Sequence, residues 1–255
     1  MLERERVIAN ADNIAAWSAV SQAEIEAFGD DGDFARQHLL TPQLLDLLGD
    51  VAGHEILDAG AGTGYLARKL ARLGATVTAL EPTGPMFQYM LTREAREPLH
   101  ITLIQQDLSE MTQFTEHFDI VVANMVLLDI PDFRTAIRNC LQALRRGGAF
   151  IFSLEHPSFA GADKSRQPYQ VSGYFTERAV PRTFGHNFHR TLETYVDVLA
   201  DNGALVERVK EPQLAAELTA QYPAHAWGHD IPAFIVVKAL KLGASTQGNE
   251  GGAHS

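Results

Sequence analysis

At 255 residues and 45% apolar, the chain has enough material for one sizeable α/β domain and can readily fill a core. Lys and Arg number 21 against 32 Asp and Glu, a net charge of −11; that balance disfavours nucleic acid, whose binders draw most of their affinity from neutralising phosphates. No apolar run approaches the roughly 18–20 residues that cross a bilayer, the charged start MLERERVIANADN lacks the apolar stretch of a secretory signal, and the single Cys140 excludes an internal disulfide, so a cytoplasmic protein without a membrane partner is expected.

Residues 11–28 carry apolar positions near the helical period, with Asp12 or Asn13 as cap. Gly29 to Asp33 is a loop by composition. Residues 34–49 predict a second helix interrupted near Thr41-Pro42, where Thr41 can cap and Pro42 can occupy a new first turn. From there the elements alternate: strand 55–59, helix 65–73 stopped by Gly74, strand 75–80, helix 84–96, strands 100–104 and 118–123, and helix 132–145. Gly147-Gly148 separates that last helix from strand 148–154. Such alternation means βαβ units and a doubly wound, mostly parallel sheet with helices on both faces. Its right-handed crossovers put the glycine-rich segment after the first strand at the carboxyl edge of the sheet, where ligands bind.

Residues 156–190 then lose the period and gather Phe159, Tyr169, Tyr174, Phe175 and Phe184, a pattern that predicts a lid over substrate. Helix 191–202 and strands 204–210 and 232–240 resume the fold, and the Gly/Ser-rich stretch 243–255 predicts a disordered tail. The expected layout is one domain over 1–242. Residues 1–50 form a helical cap, 51–155 the cofactor-binding half, 156–190 the lid, and 191–242 the closing helix and strands.

The segment Leu57-Asp58-Ala59-Gly60-Ala61-Gly62-Thr63-Gly64-Tyr65 joins a strand to a helix. Glycines there let the backbone turn sharply and approach a ligand with no Cβ in the way. Glu81 closes the next strand, where an acid receives ribose hydroxyls; Asp107 follows the third strand and Asn124 the fourth. Four features at consecutive strand ends converge on one crevice. Two cofactors compete for it. Read from Gly62, G-T-G-Y-L-A satisfies a relaxed dinucleotide fingerprint with Ala67 in third place; read from Gly60, the pattern fails at Tyr65. A pyrophosphate needs that close packing at a helix N-terminus, and a sulfonium nucleoside carries none. The residues therefore favour a methyl donor over NAD(P).

On the stretches ILDAGAGTGYLARKLARLGATVTALEP, QQDL, FDIVVANMVLLDIPD and RRGGAFIFSLEHPSF, the chain resembles the class I, Rossmann-like S-adenosylmethionine-dependent methyltransferases, the small-molecule group in particular. With FHRTLETYVDVLADNGALVERVKEPQ the resemblance covers about residues 34–240. It implies a seven-stranded sheet whose last strand runs antiparallel to the rest, and S-adenosylmethionine as cofactor. By position, Asp58 would meet the methionine ammonium, and Gly60, Ala61, Gly62 and Gly64 would lie against the cofactor. Glu81, with Pro82 beside it, would hold the ribose hydroxyls; Asp107 and the Leu108 backbone would take the adenine; Asn124 would face the methionine. Trp17 and Arg36 would close over the cofactor, as N-terminal helices do in similar enzymes. Ala61 stands where many relatives have Cys.

The acceptor is less legible. The expected reaction is methyl transfer to O or N of a small metabolite by a monomer or homodimer, with carbon as a further option. A hydroxyl acceptor would profit from a base, and His156, directly after the fifth strand, leads the candidates, followed by His189 and His186 in GHNFHR. Glu155 and Asp129 are further acids at strand ends. His156, His186 and His189 have no recognised ligand spacing, so no metal is expected. An NAD(P)-dependent oxidoreductase and a methyltransferase-fold protein with a non-methylating role are the alternatives.

Overall fold

Nearly unbroken apolar runs such as Ile120-Val121-Val122-Ala123 suit strands buried on both faces, the signature of a parallel sheet covered by helices on each side. The computed structural model describes residues 7–160, 162–163 and 170–243, with no account of the side chains of 162–163. In chain order its strands are β1 (Glu55–Ala59), β2 (Thr76–Leu80), β3 (Thr102–Ile104), β4 (Phe118–Asn124) and β5 (Leu144–Glu155), then β6 (Ala162–Asp163), β7 (Gln170–Val171), β8 (Arg178–Pro181), β9 (His186–His189), β10 (Ala204–Lys210) and β11 (Phe234–Lys241). The helices are α1 (Asn10–Trp17), α2 (Gln22–Ala27), a π-turn (Arg36–Leu40) running into α3 (Thr41–Leu48), α4 (Tyr65–Arg72), α5 (Gly84–Arg96) and α6 (Phe133–Ala143). After them come α7 (Pro157–Ala160), α8 (Leu192–Asp201), α9 (Ala216–Gln221) and α10 (Trp227–Asp230).

Seven strands form one sheet in the order β3-β2-β1-β4-β5-β11-β10. Only β11 runs against its neighbours, antiparallel to both β5 and β10. Alternate residues of the central strands feed two cores. Leu57, Val121, Phe150 and Phe152 pack with α6 and α8 on one face. Ile56, Val122, Ile151 and Val236 pack with α3 and α4 on the other. The carboxyl ends of β1, β2 and β4 therefore open together on one edge.

Several boundaries differ from the sequence reading, each for a local reason. The helix expected over 11–28 is two helices, because Ser21 starts α2 with a capping box: its N–H donates to Glu24 Oε2 (2.9 Å) and its hydroxyl accepts from the Glu24 N–H (3.3 Å). The helix over 34–49 is not interrupted. Pro42 brings no N–H and its ring would crowd a carbonyl one turn back, and the chain passes it by widening into a π-turn in which the Thr41 N–H donates to the Arg36 carbonyl. α6 ends at Ala143 instead of 145, and β5 already includes Arg145 to Gly148. There Arg145 pairs with Asp119 and Arg146 with Glu116, so this basic doublet is matched to acids. Within 156–190, β8 and β9 form an antiparallel hairpin where irregular chain was expected. Tyr169 and residues 244–255 lie outside the described residues.

Phe118 is fully buried and meets Phe114 edge-on at 4.9 Å between ring centroids. Phe118→Ala is expected to cost about 3–5 kcal/mol in denaturant unfolding, the range for emptying a buried aromatic site.

Candidate active site

The glycine loop after β1 is held by β2. The N–H groups of Gly60 and Ala61 both donate to the Leu80 carbonyl (2.8 and 2.9 Å), and the Gly62 N–H donates to Glu81 Oε2 (2.9 Å). Gly60 has φ +76°, and a Cβ there would sit 2.6 Å from both methyls of Val126, so this position needs glycine twice over. Glu81 is buried; its Oε1 accepts from the Thr83 N–H (2.9 Å) and hydroxyl (2.5 Å) at the start of α5. Burial raises its pKa and these donors oppose the rise.

Asp58 is only 2% exposed, and its Oδ2 has no hydrogen-bond partner. Burial, with the Glu81 charge adding to it, pushes its carboxyl up to about 7. Asp107 Oδ1 accepts from the Ser109 N–H (2.9 Å), and its Oδ2 accepts from the Asn10 amide (3.2 Å), which also donates to Ser109 Oγ (2.7 Å). Asn124 donates to the Tyr65 hydroxyl (2.6 Å) and accepts from the Ser153 hydroxyl (2.6 Å).

These groups line one deep crevice. Of the residues expected to bind a cofactor it collects Trp17, Arg36, Asp58, Gly60, Ala61, Gly62, Glu81, Pro82, Asp107, Leu108 and Asn124. Gly64 is not in its wall; it opens α4 with Met90 and Arg68 beside it. The roof is α1. Asn13 donates to the carbonyls of Asp129 (2.5 Å) and His186 (2.8 Å) and accepts from the His186 N–H (2.7 Å). Gly185, at φ +64°, makes this possible, since a Cβ there would come within 2.2 Å of Asn13 Oδ1. Trp17 lies against Phe184 (5.6 Å), its Nε1 buried without a partner, and Arg36 pairs with Asp33 (2.6 Å).

The two histidines expected to act on the acceptor are not brought to this crevice. The His156 backbone N–H donates to the Ala233 carbonyl (2.8 Å), its Nδ1 accepts from the Ser158 N–H (3.1 Å), and its Nε2 faces Glu211 (3.2 Å). Burial lowers its pKa, against the pull of Glu211. His189 Nε2 meets the Tyr174 carbonyl (2.9 Å), beside a small hollow under the hairpin. Among the described residues no group of three or more His, Cys, Asp or Glu is arranged for a metal, and no helix is long and apolar enough to cross a membrane. The crevice also holds residues given no site role from the sequence: Asn10, Asn13, Tyr65 and, noted only as a strand-end acid, Asp129. Asn10 and Asn13 share one face of α1, a spacing that marks a polar contact before the fold is known.

Residues 57–152 match the family model described as "Methyltransferase domain". The fold is that of the class I methyltransferases. Its sheet and helices superpose on the crystal structure of an S-adenosylmethionine-dependent methyltransferase from Mesorhizobium loti with a TM-score of 0.72, at 27% identity, covering 83% of this chain and all (100%) of that one. Ubiquinone biosynthesis O-methyltransferases from Escherichia coli and Citrobacter koseri are 28% and 29% identical over 158 residues, 59% of this chain. The matches take in 65% and 64% of those proteins, just under two thirds of their length.

The raised carboxyls of the crevice have a consequence for stability. A carboxyl whose folded pKa lies above its unfolded value binds protons more tightly when folded, so its contribution is present at about pH 4 and is lost as pH rises toward 7. The thermal midpoint of the free protein is expected to fall between pH 5 and pH 8, and Asp58→Asn to flatten that fall. A variant whose midpoint drops as steeply as the wild type would refute the burial argument.

Proposed function

We propose that this chain binds S-adenosylmethionine in the crevice and transfers its methyl group to an oxygen or nitrogen of a small molecule, leaving S-adenosylhomocysteine. The observation that carries this reading is Asp58 Oδ2, buried and unpaired beside the glycine loop, a position that a hydrogen-bond donor with positive charge would satisfy. An amino-acid ammonium supplies one, so the residues present fit the donor. Gly60, Ala61 and Gly62 offer bare backbone, Glu81 Oε2 retains a lone pair for a ribose hydroxyl, and Asp107 with Leu108 receives the adenine. Arg36 answers the donor carboxylate, Trp17 shields the site from water, and Asn124 is braced by Tyr65 and Ser153 near the methionine. The bound sulfonium supplies an electrophilic methyl carbon. The protein's part is alignment, which by itself is worth several kcal/mol.

Tyr65 favours this donor over a dinucleotide, because its side chain stands in the first turn of α4 where a pyrophosphate needs backbone alone. The O-methyltransferase relatives support a small acceptor. Calorimetric titration with S-adenosylhomocysteine, NADH and NADPH tests the reading. Micromolar binding of the nucleoside alone is expected, weakened by about 1.5–3 kcal/mol in Glu81→Gln through loss of a charged acceptor. Binding of a nicotinamide nucleotide in its place would sink the proposal.

A further inference from the structure

Five charged side chains line the crevice: Arg36, Asp58, Glu81, Asp107 and Asp129. The donor, as read above, occupies the first four. Asp129 is left over, at the end of the turn that follows β4 and beside the α1 roof and the hairpin. Its surroundings are organised. The Asn187 side chain donates to Asp129 Oδ1, and the Asn187 amide is itself oriented by Arg182, whose Nε donates to Asn187 Oδ1 (2.5 Å) while its other end pairs with Glu155. The amide is thus fixed with its NH2 toward Asp129. Among the described residues nothing donates to Asp129 Oδ2, and the carboxyl forms part of the crevice wall. The crevice wall also carries apolar side chains, among them Ile14, Phe28, Met125 and Ile130.

We propose that Asp129 is the general base of the methyl transfer and that the acceptor is an un-ionised hydroxyl compound, a phenol or alcohol on a mostly apolar body. This rests on the methyl-transfer reading above. A neutral hydroxyl is a weak nucleophile and has a proton to lose, and a positioned base is the group that removes it. A neutral amine brings its own lone pair and loses no proton before the bond forms, so it would leave the base idle. A carboxylate or phosphate acceptor would need a free cation, and among the described residues the crevice offers only Arg36, already paired with Asp33 and set toward the donor. Asp129 would also repel such an anion.

In the step, the acceptor oxygen forms its bond to the methyl carbon with its own electron pair. The donor sulfur keeps the pair of the bond it loses, and the hydroxyl proton passes to Asp129 Oδ2. The groups that face Asp129 set its readiness. Burial pushes its carboxyl up to about 7 and the Glu81 charge adds to the rise, while the Asn187 hydrogen bond, Arg36 and Arg182 oppose it. A base that titrates near the working pH combines an available ionised form with enough basicity to take the proton.

The test uses the full chain with S-adenosylmethionine and five probes: catechol, guaiacol, benzyl alcohol, benzylamine and benzoate. Release of S-adenosylhomocysteine is expected with the hydroxyl probes only, with kcat/KM rising through about pH 7 as the carboxyl ionises. Asp129→Asn is expected to lower kcat/KM by about 100-fold or more and to remove that pH step, with S-adenosylhomocysteine affinity kept within about twofold as the sign of an intact fold. Methylation of benzylamine or benzoate in place of the hydroxyl probes, no turnover of any hydroxyl probe, or an unimpaired Asp129→Asn would each overturn the inference while leaving the donor site standing. Loss of S-adenosylhomocysteine binding by the wild type would instead take down the methyl-transfer reading itself.

Discussion

The contact between the glycine loop and the end of β2 governs the rest of the site. Leu80 offers one carbonyl to two loop N–H groups, and Glu81 takes a third on its carboxylate. Three backbone donors at the floor of a crevice would otherwise lie buried and unpaired, each at a cost of about 1–3 kcal/mol. Satisfying them from β2 draws Gly60 under Val126, which belongs to the segment after β4, and ties Glu81 through Thr83 to the first turn of α5. The ends of three strands and the start of a helix are locked as one unit before any ligand arrives.

That unit concentrates negative charge. Among the described residues, Asp58, Glu81, Asp107 and Asp129 share one wall with a single cation, Arg36. Asp58 and Asp129 are both held near neutrality by burial, whereas Glu81 has donors on both oxygens to steady its charge. An arrangement that costs the free protein stability is common where binding needs strain to be relieved. On the methyl-transfer reading, the relief would come from the ammonium and the ribose hydroxyls of the donor.

Much of this was legible in the sequence, where structure follows from local pattern. The buried strands announce themselves because both faces need apolar residues, and the loop because only glycines tolerate its turns. The antiparallel last strand came from family resemblance, since nothing in PAFIVVKAL specifies its direction. The histidines could not be placed in the same way. His156 does follow β5, but its backbone is captured by Ala233 at the approach to β11, and Ser158 and Glu211 take its ring. The hairpin of β8 and β9 went unseen because His186-Asn187-Phe188-His189 has neither alternation nor a two-residue turn signal. Its pairing is tied to Asn13, 173 residues earlier in the chain.

The roof helix has a history set by those distances. α1 spans only 8 residues, too few to be helical alone in water. Its anchors, Asp107, Ser109, Asp129 and His186, lie 97 to 173 residues further along. α1 therefore finds its place only after the later segments that anchor it have been made. The same economy works in reverse. Lifting α1 breaks a few side-chain hydrogen bonds and leaves the sheet intact, so its amides exchange with solvent through a partial opening far cheaper than global unfolding. On the methyl-transfer reading, such an opening would let a spent nucleoside leave while the crevice floor stays assembled.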